Sequence, residues 1–304
     1  MKQFLLDLLV DIDTKENLKL NKELNKLVCT RVSNSYDIID SVPIILPKNI
    51  DSKKLESPIH KKYNTKFNYT EHYKIDAEFN DYFEEESIIT KKERERNRQS
   101  IISKVQAKSK LILDVGCGSA WVAKHFTKKG KKVISMDVAI KNPIEALKKI
   151  DNENHAALVA DVFNLPIKTN TIDAIIASEV IEHLHDPSLF IANLLTTICE
   201  GGKIILLTPY NEKLIYHTCV HCNTPTPSNA HLHSFNEKNI ENYLPKFGIK
   251  YTTSASNNKY FIKLRLYSLL HFLPFNIWFY LDKIANKIIF KPTTFIIEIT
   301  KLTK

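Results

Sequence analysis

The chain reads as α/β: a seven-stranded sheet, parallel but for its last strand, with helices on both faces, plus a small N-terminal α+β unit. Three observations carry this reading. From residue 101 onward, apolar runs alternate with helix-period stretches, the pattern of parallel strands joined by right-handed crossovers. The first run, Leu111-Ile112-Leu113, opens onto Asp114-Val115-Gly116-Cys117-Gly118, a tight turn that holds two of the six glycines of the chain. Trp121-Val122-Ala123 then starts a helical pattern, and Asp137 closes the second apolar run, Val133 to Met136.

Taken in order, residues 1–48 form a small unit of their own. Phe4, Leu5, Leu8 and Leu9 recur at helical spacing. Leu27-Val28-Cys29 and the run from Tyr36 to Leu46 read as short strands punctuated by Pro43 and Pro47. Residues 49–100 are polar, with aromatics between Tyr63 and Phe83, and read as a linker and capping helix or as a lid over the pocket of the next domain. Within them, Lys91-Lys92-Glu93-Arg94-Glu95-Arg96 reads as mixed charge on a solvated helix face.

Residues 101–304 carry the sheet. Strands are expected near 111–115, 132–137, 156–160, 172–177, 202–208 and 249–255, with Thr294 to Thr300 as the antiparallel seventh. That leaves about 260–290 as a helical insertion between the last two strands. Its apolar stretch, Leu264 to Leu281, is broken by Pro274 and carries Arg265 and His271, so it is too interrupted to span a bilayer. It reads as a hairpin packed on the core or roofing the site. The other reading is a peripheral membrane contact, because Trp278, Phe279 and Tyr280 beside Lys283 suit an interface.

A length of 304 residues allows one large domain or two smaller ones with ample core. A net charge of +9 favours RNA, anionic lipid or acidic sugars without selecting among them, and stable DNA binding is not expected. Five cysteines without disulfide-like spacing point to a reducing, cytoplasmic compartment, with membrane association as the alternative. The start, Met1-Lys2-Gln3-Phe4, runs into Asp7 and Asp11, which is not the pattern of a signal peptide.

The glycine turn lets the backbone come close to a ligand, and Asp137 stands where an acid takes ribose hydroxyls. A dinucleotide fingerprint needs a third glycine where this chain has Trp121, and no Gly-Lys-Ser/Thr of a Walker loop follows. A nucleoside without phosphates remains. These motifs, in this order, resemble the class I S-adenosylmethionine (SAM) methyltransferases of type 11/12, whose sheet is Rossmann-like. The resemblance implies SAM as cofactor. It implies Asp114, Gly116 and Gly118 as the first motif, Asp137 as the ribose acid, Asp161 and Val162 as the adenine-contacting turn, and Ser178 as the cofactor-facing end of the fourth strand. Gly201-Gly202-Lys203 resembles the turn into the fifth strand. In the first unit, the ending from Ile38 to Pro47 resembles the zinc-ribbon-derived domain that activates tRNA and protein methyltransferases. Its zinc ligands are lost here: Asp11-Ile12-Asp13-Thr14 occupies the region of the first cysteine pair, and Cys29 alone remains of the second.

The acceptor side is carried by Glu179, Glu182 and His183, whose i, i+3, i+4 spacing places them on one face of a helix expected after the fourth strand. Two carboxylates and an imidazole suit Mg²⁺, which keeps positions open for a substrate hydroxyl. The arrangement resembles the ubiquinone-pathway O-methyltransferases. It also resembles the small-RNA 3′-end 2′-O-methyltransferases, which add a distant histidine, matched here by His233 ahead of Phe235. The acid-aromatic continuation of the RNA family is absent, since Asn236-Glu237 follows. Without a metal, the same Glu-His pair orients SAM, and His183 or His233 is the candidate base. Cys219 and Cys222, with His231 or His233 downstream, fit tetrahedral zinc or an ordered loop, and the two metal readings compete for His233. Tyr210, after the fifth strand, is a candidate for stacking on the acceptor. The expected function is methylation of an oxygen on a small or lipid-like hydroxylated molecule. The alternatives are an RNA 2′-hydroxyl and a non-catalytic partner that keeps the fold.

Overall fold

The computed structural model describes residues 1–48, 53–54, 58–84 and 87–303. Parts of the expected linker, at 49–52, 55–57 and 85–86, lie outside the described residues, as does residue 304. The strands in chain order are β1 (Leu18–Asn21), β2 (Lys26–Cys29), β3 (Ser35–Ile39), β4 (Val42–Ile45), β5 (Lys53–Lys54), β6 (Lys66–Phe67), β7 (Leu111–Val115), β8 (Lys132–Asp137), β9 (His155–Ala160), β10 (Ile172–Ser178), β11 (Ile198–Pro209), β12 (Tyr216–Thr218), β13 (Pro225–Pro227), β14 (Ile249–Asn258) and β15 (Pro292–Lys301). Eleven of them form one sheet in the order β1-β2-β3-β4-β9-β8-β7-β10-β11-β15-β14. The seven from β9 to β14 are the expected α/β sheet. Its first five strands pair in parallel, and β15 runs antiparallel between β11 and β14.

Both faces of the parallel strands are covered, which is why they read as unbroken apolar runs rather than alternations. Leu113 and Ile134 feed the core on one face, while Ile112 and Val133 feed the core on the other. β11 starts at Ile198, ahead of the expected 202. Its register against β10 is irregular between Ile172 and Ala174, and this irregularity admits Gly201 at φ +70° inside the strand.

The first four strands continue the same sheet. β1 to β4 form an antiparallel meander, and β4 then pairs in parallel with β9 through Ile44–Val159 and Ile45–Ala160. Backbone hydrogen bonds from Val10 N to the Pro166 carbonyl and from Lys168 N to the Leu8 carbonyl, both 2.9 Å, fasten the start of the chain alongside. The Asp11–Thr14 turn is closed by a buried carboxylate. Asp11 accepts from the Thr14 amide (2.8 Å), the Tyr36 hydroxyl (2.7 Å) and the Asn34 side chain (3.0 Å). Burial raises its pKa, but the hydrogen bonds outweigh burial and hold it down at about 2. Cys29 lies 3.7 Å from the Thr14 hydroxyl within this hydrogen-bonded turn.

The two longest helices ahead of the glycine turn follow the short ones at Gln3–Leu6 and Pro58–Tyr63. Tyr69–Phe79 is capped by Asn68, which accepts from the Glu71 amide, and Ile88–Ile102 is capped by Ser87, which accepts from the Thr90 amide. The second carries the charged run expected to be solvated, and here the structure differs. Arg96 is buried, with its guanidinium 3.4 Å from the centre of the Trp278 ring. The insertion covers it. That insertion comprises helices Lys259–Lys263, Leu266–Leu269 and Phe275–Ile288, between β14 and β15. Among the described residues, no helix is long and apolar enough to cross a membrane.

Candidate active site

The carboxyl ends of β7, β8, β9 and β10 open into a cavity of about 920 Å³. Such an edge is where open α/β sheets bind ligands. Gly116 turns the chain at φ +69°, and a Cβ there would meet Val180 Cγ2 at 2.6 Å, so only glycine lets the two loops approach. Gly118 follows at φ +41° under the Tyr82 ring. Asp114 is buried at the end of β7 with Oδ2 lacking a partner; burial, and then the Asp137 carboxylate, push it well above the usual carboxylate range. Asp137 is also raised by burial, against hydrogen bonds from the Ala139 amide and the Asn142 side chain, both 3.0 Å. Asp161 accepts from the Tyr69 hydroxyl at 2.7 Å and from the Phe163 amide at 3.0 Å. Val162 and Ser178 also line the cavity. A turn with two glycines and the acids Asp137 and Asp161 on the cavity wall fit the hydroxyls and the amino group of SAM, with Asp114 buried behind the turn and not on the wall.

The far wall comes from the helices at Tyr69–Phe79 and Ile88–Ile102, through Tyr69, Tyr73, Arg94 and Asn97. The aromatic content of this segment signalled a cover in the sequence, but no spacing singled out Tyr69 as the partner of Asp161.

Beyond Ser178 the expected helix is absent. Glu179 adopts φ +57°, its amide bonds to the Leu207 carbonyl (2.8 Å), and only the 3₁₀ turn Ile181–His183 follows. The i, i+3, i+4 argument therefore fails: Glu182 and His183 still meet, while Glu179, after its left-handed kink, lies beside Glu182 but outside the group those two form. Glu182 is wholly buried, and neither of its carboxylate oxygens reaches a partner at hydrogen-bonding geometry. Burial, and then the Glu179 carboxylate, push Glu182 well above its ordinary range, and burial raises Glu179 as well. Burial, and next the His231 ring, lower His183 to about 4. Its imidazole is neutral at neutral pH, with Nδ1 lacking a partner and its ring edge-on to Tyr73, centroids 5.7 Å apart.

His231 is the distant histidine that arrives. Its ring centre lies 4.8 Å from that of His183, and its Nδ1 is 2.5 Å from Glu212 Oε1. Among the described residues, the one group of three possible metal-ligating side chains is Glu182, His183 and His231, with ligand atoms within 4.8 Å of one another. His233 instead packs against Phe235 and Tyr243, and its ring bonds to the main chain of Leu184 and His185. Cys219 and Cys222 are not joined by His231. They flank the turn of the β12–β13 hairpin, where the exposed Cys222 sulfur sits 2.8 Å from the Thr224 hydroxyl. Tyr210 lies against Phe290 and Phe295 and donates to Glu237 (2.8 Å); burial, followed by that carboxylate, pushes it up to about 12. Glu212 carried no signal in the sequence, because only the path of the chain after β11 returns it to His231.

A family model described as "Methyltransferase domain" matches residues 86–254, more than half of the chain. Over 103 residues the chain is 30% identical to the malonyl-acyl-carrier protein O-methyltransferase of Hamiltonella defensa, covering 33% of this chain and 38% of that one. Over 101 residues it is 30% identical to a ubiquinone biosynthesis O-methyltransferase of Rhodopseudomonas palustris, covering 32% and 39%. The chain thus spans about two-fifths of the length of these curated relatives. An S-adenosylmethionine dependent methyltransferase structure from Mesorhizobium loti is similar at TM-score 0.50 and 12% identity, over 68% of this chain and 98% of that one. The structure of the 4+2-cyclase SpnF is similar at TM-score 0.50 and 13% identity, over 69% and 81%. These two likenesses are of fold, and their different names show how little the fold says of the chemistry. With the family match over more than half its length and a glycine turn and acids that fit the cofactor, the chain belongs to the class I SAM-dependent methyltransferases.

Proposed function

We propose that this protein transfers the methyl group of SAM to an oxygen of a small or lipid-like hydroxylated acceptor. The observation that carries the reading is a single cavity shared by the glycine turn, Asp137 and a neutral, buried His183. Methyl transfer from a sulfonium is an in-line displacement. The oxygen–carbon bond forms as the carbon–sulfur bond breaks, the electron pair stays on sulfur, and the hydroxyl proton must leave. A neutral imidazole has a lone pair to accept that proton. Holding the reactants in line contributes up to ~7–11 kcal/mol, and a base adds roughly 10²–10⁴-fold. Two of the relatives named above are O-methyltransferases by name, which supports oxygen as the acceptor atom.

The test is transfer of labelled methyl from SAM into a cell extract, partitioned into organic, RNA and protein fractions. Label is expected in the organic phase, and His183→Ala should lower it by roughly 10²–10⁴-fold with SAM affinity unchanged. Label in RNA would install the 2′-hydroxyl reading instead. Label in no fraction would leave a non-catalytic partner.

A metal-assisted form of the same reaction is favoured by one observation, the convergence of Glu182, His183 and His231, with the Glu182 oxygens and His183 Nδ1 lacking partners. These residues would hold a divalent cation, which would supply Lewis acidity to the acceptor hydroxyl. Loss of turnover in EDTA, restored by Mg²⁺ or Mn²⁺, is the expected result, and full turnover in EDTA removes the metal.

A further inference from the structure

The helix Phe275–Ile288 is inside out. Its buried positions are Trp278, Asp282 and Asn286, spaced four apart on one face. Asp282 accepts from the backbone amides of Asn257 (2.9 Å) and Asn258 (2.6 Å), and the Asn258 side chain donates to Asn286 (2.9 Å). Polar groups thus hold the helix to the end of β14, while its apolar residues other than Trp278 face mostly outward. Tyr280 is 65% exposed and Ile288 75%. The outward face continues through the rest of the insertion, where Leu264, Leu269 and Phe272 are each 65–69% exposed. A water-soluble surface helix carries the opposite pattern. Scattered apolar residues on a surface need no explanation, but a contiguous set on one insertion marks an interaction site.

The charges say which surface it meets. Between Lys259 and Lys291 the chain carries six cations and one acid. That acid, Asp282, is buried, and the cations Lys259, Lys263, Arg265, Lys283, Lys287 and Lys291 are exposed. Lys283 already lies along the Phe279 ring, its Nζ 4.8 Å from the centre, with the stem on apolar surface and the head free to reach outward. Outward Leu, Phe, Ile and Tyr rimmed only by cations are the composition of an element that lies in the headgroup layer of an anionic membrane. A helix of this length, about 21 Å, rests on a bilayer and does not cross it.

We propose that the 259–291 insertion docks this protein on anionic phospholipid bilayers, with the outward faces of its three helices buried at the acyl boundary and its lysines and Arg265 on the headgroups. The insertion packs on the helix Ile88–Ile102 through Arg96, which donates to the Leu270 carbonyl at 3.3 Å, and the same helix lines the cavity through Arg94 and Asn97. Docking therefore sets the cavity beside the lipid. The proposal is independent of methyl transfer and is read without it.

The test is co-sedimentation of the full chain with phosphatidylcholine vesicles and with phosphatidylcholine–phosphatidylglycerol vesicles. The wild type is expected to pellet with the mixed vesicles and to be released by salt. Leu269→Glu/Phe272→Glu should bind at least about tenfold less, as loss of buried apolar area requires. Lys283→Glu/Lys287→Glu should lose about fivefold per lysine, on mixed vesicles alone. All four side chains are exposed, so unchanged melting temperatures and SAM binding will show that the variants fold. A wild type that stays in the supernatant overturns the proposal, as does a Leu269→Glu/Phe272→Glu protein that pellets like the wild type. A wild-type dimer in size exclusion that the same variant splits, without vesicle binding, assigns the face to a second copy of the chain and also overturns it.

Discussion

At Gly116 two constraints meet: a left-handed backbone at φ +69° and a Val180 methyl 2.6 Å from where a Cβ would stand. The first costs an alanine about 1–2 kcal/mol and the overpacking another 1–3. Gly116→Ala is therefore expected to lower stability by about 2–5 kcal/mol in urea unfolding and to weaken SAM binding by calorimetry. Val180→Ala in the same chain should restore part of both. Unchanged binding in the single variant would mean that the turn does not approach the ligand. The same residue scale decides the acid and base assignments. Glu182 and His183 are neighbours in sequence, but burial drives them in opposite directions, the carboxyl up and the imidazole down, so that both favour the neutral form.

Among the elements, the Asp11–Thr14 turn shows how a small unit is held together by one buried carboxylate. One carboxylate gathers an amide, a phenol and a carboxamide, joining the turn to β3 through Tyr36. Its folded pKa of about 2 lies below the ordinary 3.8, so its contribution is fully present above about pH 4 and is lost as pH falls toward 2. Asp11→Ala is expected to cost about 2–3 kcal/mol at pH 7, since hydrogen bonds to a charged group are being removed. Urea unfolding followed from pH 6 to 2 should show the wild type approaching the variant at the acid end. A constant gap across that range would mean that the carboxylate charge contributes nothing. The insertion is the opposite kind of element. Apart from Trp278, its buried contacts are polar, and most of its apolar residues are turned outward.

At the scale of the whole molecule, the N-terminal unit closes one edge of the sheet. β9 is buried along its whole length, and β4 covers its outer edge. Removing residues 1–48 would bare that edge together with Ala157 and Val159, which pack against Val42, a template for pairing with another chain. The truncated chain is expected to aggregate or to melt well below the full chain, as measured by light scattering during a thermal ramp. A monomeric truncation with the full melting temperature would make the unit an accessory rather than part of the sheet.

How much was legible depended on how local the determinant was. The seven strands and the glycine turn could be read because run length, the absence of Cβ atoms and the spacing to Asp137 are properties of neighbouring residues. The approach of Glu182 and His183 to each other follows from their adjacency, but the helix that was to add Glu179 is absent, replaced by a left-handed kink at Glu179. The choice of His231 over His233, the return of Glu212 and the pairing of Tyr69 with Asp161 were beyond the sequence. Each joins segments at least 19 residues apart, and only the path of the intervening chain sets which face arrives. The insertion shows the same limit. Its apolar pattern predicted burial as readily as exposure, and the inward face is the one on which Asp282 accepts from two backbone amides at the end of β14 and Trp278 is buried. The sequence by itself determined the sheet, the cofactor turn and the family. Tertiary structure decided which side chains meet at the acceptor end and which face of the insertion looks outward, because burial and hydrogen-bond satisfaction are settled between elements and not within them.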